Sequence, residues 1–96
     1  MSVKVHIHLT LRRFTNGQEL VEVEGETVGE CLRDLVRKFP EIESSVFDKK
    51  GNLLNIVEIY VNLESAYPDE LGKQVKDGDD IHLIEIEVNL GPRMLS

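Results

Sequence analysis

Residues 3–11, Val-Lys-Val-His-Ile-His-Leu-Thr-Leu, alternate apolar with polar side chains. Val3, Val5, Ile7, Leu9 and Leu11 share one side, and Lys4, His6, His8 and Thr10 share the other. A period of two predicts a strand buried on one face. Asn16-Gly17 follows, a pair that tolerates the positive φ of a tight turn, and extended character returns from Leu20 to Val23. These two strands are expected to form an antiparallel hairpin.

The period then changes. Val28, Cys31, Leu32, Leu35, Val36 and Phe39 recur at spacings of three and four, with Arg33, Asp34, Arg37 and Lys38 between them, which predicts a helix with one apolar stripe. Thr27 and Glu30 have the spacing that caps its first turn. Arg37 and Lys38 suit its negative end, and Pro40 helps to stop it. A turn-rich stretch over 48–52 leads to a third strand at 56–62, where Val57, Ile59 and Val61 oppose Glu58, Tyr60 and Asn62. This strand is expected to cross the centre of the sheet. A long connection over 63–80, with Pro68, Gly72 and the turn Lys76-Asp77-Gly78-Asp79, precedes a last strand at 81–90. The order is ββαββ, an α+β arrangement in which one main helix covers one face of a small mixed sheet.

In the last strand the apolar phase flips. Ile81 and Leu83 share one face, whereas Ile84, Ile86, Val88 and Leu90 share the opposite one. Either a bulge resets the register, or both faces are covered there. On the second reading Ile84, Ile86, Val88 and Leu90 form a docking strip for a protein partner or for a second copy of the chain.

Length and charge narrow the function. Ninety-six residues fit one domain, with residues 91–96 as a flexible tail. No apolar run approaches a membrane span or a signal peptide, so a cytoplasmic protein is expected. The net charge is −7, and the excess is uneven: residues 1–50 carry nine acids and eight bases, residues 51–96 nine acids and three. A field of that sign repels phosphate backbones and anionic lipid, which argues against nucleic acid and membrane partners and for a basic protein surface.

Little in the chain suggests chemistry of its own. The single cysteine, Cys31, excludes an internal disulfide, and its place on the apolar stripe reads as a buried small side chain. His6, His8 and His82 read as outward positions on strands, without an evident further ligand at good spacing. Asp77, Asp79 and Asp80 lack the closing glutamate of a calcium loop and read as a turn. Neither a nucleophile-base order nor a phosphate-cradling glycine loop can be argued from these spacings. The expectation is a protein that is not an enzyme and holds no cofactor or metal.

Five segments in order carry a family resemblance. They are Gly25-Glu26-Thr27-Val28-Gly29-Glu30-Cys31-Leu32, Phe39-Pro40-Glu41-Ile42, Phe47-Asp48-Lys49-Lys50-Gly51-Asn52-Leu53, Ile59-Tyr60-Val61-Asn62 and Val75-Lys76-Asp77-Gly78-Asp79-Asp80-Ile81. Together they resemble the MoaD/ThiS family of ubiquitin-like β-grasp sulfur carriers, the MoaD branch more than the ThiS branch. The resemblance implies a β-grasp fold and a setting in molybdopterin biosynthesis. Its implied protein partners are an activating enzyme and a subunit like the large subunit of molybdopterin synthase. It also implies a mechanism at the C-terminus: the family ends in Gly-Gly, whose carboxylate is adenylated and converted to a thiocarboxylate. Such a pair has no Cβ, so it threads a narrow channel in extended form.

This sequence departs from the family there. Asn89-Leu90 stand about where Gly-Gly is expected, and Gly91 is followed by Pro92-Arg93-Met94-Leu95-Ser96. As written, the tail is not expected to be thiocarboxylated, and Gly91 becomes the carrier terminus only if residues 92–96 are removed. The remaining alternatives are a divergent subunit that docks without donating sulfur, and a ubiquitin-like interaction module with no sulfur role.

Overall fold

The structure, a computed structural model, describes residues 2–86. Five strands form one mixed sheet: β1 (Ser2–Ile7), β2 (Leu20–Glu24), β3 (Val57–Val61), β4 (Glu64–Ser65) and β5 (Asp80–Glu85), in the order β2-β1-β5-β3-β4. Helix α1 (Val28–Lys38) covers one face, and a short α2 (Glu43–Val46) follows it. The fold is α+β, with the mixed sheet and single main helix that the sequence predicts.

The periodicities become burial directly. Val3, Val5 and Ile7 of β1, Val21 and Val23 of β2, Val57, Ile59 and Val61 of β3, and Ile81 and Leu83 of β5 all face the helix. From α1 they meet Val28, Cys31, Leu32 and Leu35, each fully buried, with Val36 and Phe39 at the margin of the cluster. Burying a side chain of Leu or Val size stabilises by about 1.5–3 kcal/mol, so this stripe supplies most of the drive to dock the helix. The cap forms as its spacing predicts. Thr27 Oγ1 accepts from the Glu30 N–H at 3.1 Å, and Glu30 Oε1 accepts from the Glu26 N–H at 2.8 Å.

The next free N–H groups of the helix are met by a loop. Val28 donates to the Lys73 carbonyl and Gly29 to the Leu71 carbonyl, both at 2.9 Å. A Cβ on Gly29 would lie 2.9 Å from that Leu71 oxygen, so the approach requires glycine.

Three expectations need correction, and two short elements were not foreseen. First, β1 ends at Ile7, not Leu11. Its partners also run out there, since His6 pairs with Leu20 and Ile7 with Leu83. The chain instead makes a 3₁₀ turn over Leu9–Phe14 that tucks Leu11 under the core and leaves Leu9 69% exposed. The β1–β2 pairing is antiparallel as expected, and Asn16 and Gly17 do adopt positive φ, but within this longer connection rather than a two-residue hairpin.

Second, β5, not β3, occupies the sheet centre, because β1 pairs with it in parallel. Third, the order ββαββ omits β4. Asn62 and Leu63, at φ 51° and 73°, make a tight turn after β3 that brings Glu64 opposite Val61. The unforeseen elements are α2 and a 3₁₀ turn over Pro40–Ile42, which are too short to show a period yet bury Ile42 and Val46. No helix among the described residues is long and apolar enough to cross a membrane.

Candidate functional site

The open face of the sheet, opposite α1, gathers the polar side of each strand. Register alone builds its central row: Leu20 of β2 lies beside His6 of β1, His6 beside His82 of β5, and His82 beside Tyr60 of β3. The two imidazoles stack with centroids 4.2 Å apart and planes 10° apart. His6 Nε2 lies 2.9 Å from Asp80 Oδ1. Burial pushes the His82 pKa below the usual histidine value and His6 adds to the effect, with Asp80 opposing both. At the end of the row the Tyr60 hydroxyl donates to Glu58 Oε1 at 3.1 Å, and this bond to a carboxylate raises the tyrosine pKa.

The next row holds the described part of the apolar strip. Ile84 pairs with Glu58, and the Ile86 N–H donates to the Ile56 carbonyl at 2.6 Å. The register from Ile81 to Glu85 is unbroken, so no bulge resets the phase over this stretch. Ile84 and Ile86 therefore stand on the open face while Ile81 and Leu83 fill the core. Ile84 is half-buried and Ile86 is 39% exposed. Val88, Leu90 and Gly91, the other candidate residues, lie outside the described part of the chain.

The exit of β5 is held from the β1 side. The His8 N–H donates to the Leu83 carbonyl at 3.1 Å, the Glu85 N–H donates to His8 Nδ1 at 3.3 Å, and the Thr10 hydroxyl donates to Glu85 Oε1 at 2.6 Å. The end of β5 is thus anchored up to Glu85.

The remaining candidates resolve into structure. Cys31 is fully buried, and burial, with Glu30 and Asp34 nearby, pushes its thiol up to about 11. A thiol held protonated in the core is not a nucleophile at neutral pH. Asp77, Asp79 and Asp80 turn to separate tasks: Asp77 accepts from the Ser2 N–H, Asp79 from the Lys76 N–H and the Asn62 amide, and Asp80 meets His6. Among the described residues no group of three or more His, Cys, Asp or Glu is placed to hold a metal ion.

The histidine stack was not legible in the sequence. Alternation puts His6 and His82 on polar faces, but only the parallel pairing of β1 with β5 brings them together. That pairing spans 76 positions, from His6 to His82, and local pattern carries no signal for it.

Comparison with known proteins agrees with this architecture. The ThiS family model matches residues 5–86. The sulfur carrier protein CysO of Mycobacterium tuberculosis is 33% identical over 87 residues, covering 88% of this chain and 94% of CysO. Among solved structures, a chain of the BexX/CysO complex from Amycolatopsis orientalis superposes with a TM-score of 0.82 at 30% identity, over 90% of this chain and 97% of that one. SAMP1 from Haloferax volcanii gives 0.82 at 30%, over 95% and 100%. A complex of subunits 1 and 2 of molybdopterin-converting factor from Helicobacter pylori gives 0.60 at 20% identity, over 92% and 97%, and shares the fold. A match along 82 positions, to proteins built on the same sheet and helix, makes the chain a member of the ThiS family of ubiquitin-like sulfur carriers.

Proposed function

We propose that the chain acts as a sulfur-carrier-type docking protein, engaging a protein partner through the open face of its sheet. The partner then handles the chain that leaves β5. The observation that carries this reading is the placement of Ile84 and Ile86 on the open face, at the anchored exit of the central strand. Isoleucines at such a place lose water only when something covers them. Val88 and Leu90 continue the same apolar phase in the sequence. The partner is of the activating-enzyme type, or an acceptor subunit comparable to those in the BexX/CysO and molybdopterin-converting factor complexes. We further propose a single domain over residues 1–96.

The reading lies nearer to the CysO-type carriers than to a molybdopterin setting, because the molybdopterin relative shares only the fold. Carrier chemistry on this chain calls for a free carboxylate at Gly91, set free by cleavage before Pro92. Adenylation would join that carboxylate to AMP with release of pyrophosphate, and a sulfide donor would then displace AMP to give the thiocarboxylate. The chain with its tail intact docks without donating sulfur.

The test is pyrophosphate exchange with a ThiS-type activating enzyme and ATP. The form ending at Gly91 is expected to support exchange and the form running through Ser96 is not. Ile86→Asp is expected to abolish partner binding with little loss of stability. If neither form supports exchange, the chain is a ubiquitin-like interaction module without a sulfur role. If Ile86→Asp unfolds the protein, Ile86 belongs to the core and the docking face is wrong.

A further inference from the structure

The outer edge of β3 is only half closed. Residues of even number in and beside this strand direct their backbone groups to β5, as the bonds from Ile86 to Ile56 and from Asn62 to Asp80 show. Residues of odd number face outward. The Val57 N–H donates to the Leu54 carbonyl at 3.0 Å, the Ile59 carbonyl accepts from the Ala66 N–H at 2.9 Å, and Val61 pairs with Glu64. The Val57 carbonyl and the Ile59 N–H have no hydrogen-bond partner among the described residues, because the chain leaves the line of β4 after Ala66. These two groups flank Glu58. They are the acceptor and the donor that a short added segment uses when it extends a sheet.

A groove of about 650 Å³ lies against this edge. Leu53, Leu54 and Leu71 line it on the side that packs on the core, and Glu58, Asp69 and Glu70 supply its charge. Among the described residues no lysine, arginine or histidine borders it. Alternation fixes what would fit. The residue opposite Glu58 lies on the open face beside that carboxylate, and its two flanking residues point the other way, toward the leucines.

We propose that the β3 edge is a docking site for an extended segment of a partner protein with the pattern apolar, basic, apolar. Two backbone hydrogen bonds fix the segment, the leucine walls take its apolar side chains, and the acidic rim selects the basic one. This site shares Glu58 and Ile86 with the open face, adds to them the β3 backbone edge and the leucine walls, and does not depend on sulfur chemistry.

The test is titration of the ¹⁵N-labelled full chain with the peptide acetyl-Val-Lys-Val-Lys-Val-amide, followed by NMR, with acetyl-Val-Glu-Val-Glu-Val-amide as the control. The lysine peptide is expected to shift the amides of Val57 to Ile59 and Leu71 and to slow exchange of the Ile59 N–H. The glutamate peptide is expected to bind at least about tenfold more weakly, as like charge at a rim demands. Glu58→Lys should reverse that preference. Should Glu58→Lys disturb the fold, Glu70→Lys on the loop is expected to weaken the lysine peptide alone. Equal binding of both peptides, shifts centred on His82 and Ile84 or on β2, or no shifts at millimolar peptide would overturn the proposal.

Discussion

Leu63 holds a backbone conformation that leucine rarely adopts. It lies at φ 73°, second in the turn Asn62-Leu63, and its side chain is 77% exposed, so packing does not offset the strain. A side chain with a Cβ costs about 1–2 kcal/mol in that region, whereas glycine adopts it freely. Leu63→Gly is therefore expected to stabilise the fold by about 1 kcal/mol, read as a higher denaturation midpoint with an unchanged slope. A lower midpoint would mean that the leucine makes a contact worth more than its strain. The same residue explains a gap in the sequence reading. Tight hairpins are recognised by Asn-Gly or Asp-Gly, and Asn-Leu hides the turn and with it β4. At Asn16-Gly17 the usual pair is present and the positive φ was legible, although the length of the connection was not.

The two outer edges of the sheet are treated differently by the elements beside them. Along β2, side chains of α1 occupy the free backbone: Lys38 Nζ donates to the Glu22 carbonyl at 2.6 Å and the Glu24 N–H donates to Asp34 Oδ2 at 2.9 Å. Arg37 pins Asp34 in turn, through Nε at 2.9 Å and Nη2 at 2.6 Å. Burial pushes the Asp34 carboxyl up, but the Glu24 N–H and Arg37 outweigh it, so its pKa falls below the usual carboxylate value. A covered edge does not recruit a further strand. The double variant Asp34→Ala/Lys38→Ala is expected to self-associate with rising concentration in sedimentation while keeping its helical signal; a monomer at all concentrations would assign the protection to something else. Among the described residues no side chain bonds the Val57 carbonyl or the Ile59 N–H, although both residues are nearly buried. The helix and four of the five strands were readable from local pattern. The cover on β2 was not, since Lys38 and Asp34 look like ordinary solvent-facing charges until the helix is laid beside the strand.

For the molecule as a whole, layers and core followed from pattern, while sheet order did not. Hydrophobic period says which face of a strand is buried, but not which strand lies next to it. The open-face placement of Ile84 and Ile86 was legible as a phase flip at Ile84, and the histidine row beside them was hidden behind the order of the strands. That order has a mechanical consequence. The first and last described strands, β1 and β5, lie side by side and parallel, so tension applied at Ser2 and Ile86 draws them past each other. The bonds along Lys4–Ile7 and Asp80–Leu83 are then loaded together in shear. Tension at Ser2 and Glu24, the paired ends of an antiparallel ladder, opens its bonds one after another. Single-molecule pulling is expected to need a higher force for the first pair of handles than for the second, and equal forces would contradict it. A pull between Ser2 and the chain that leaves β5 would therefore meet more resistance than one between Ser2 and Glu24.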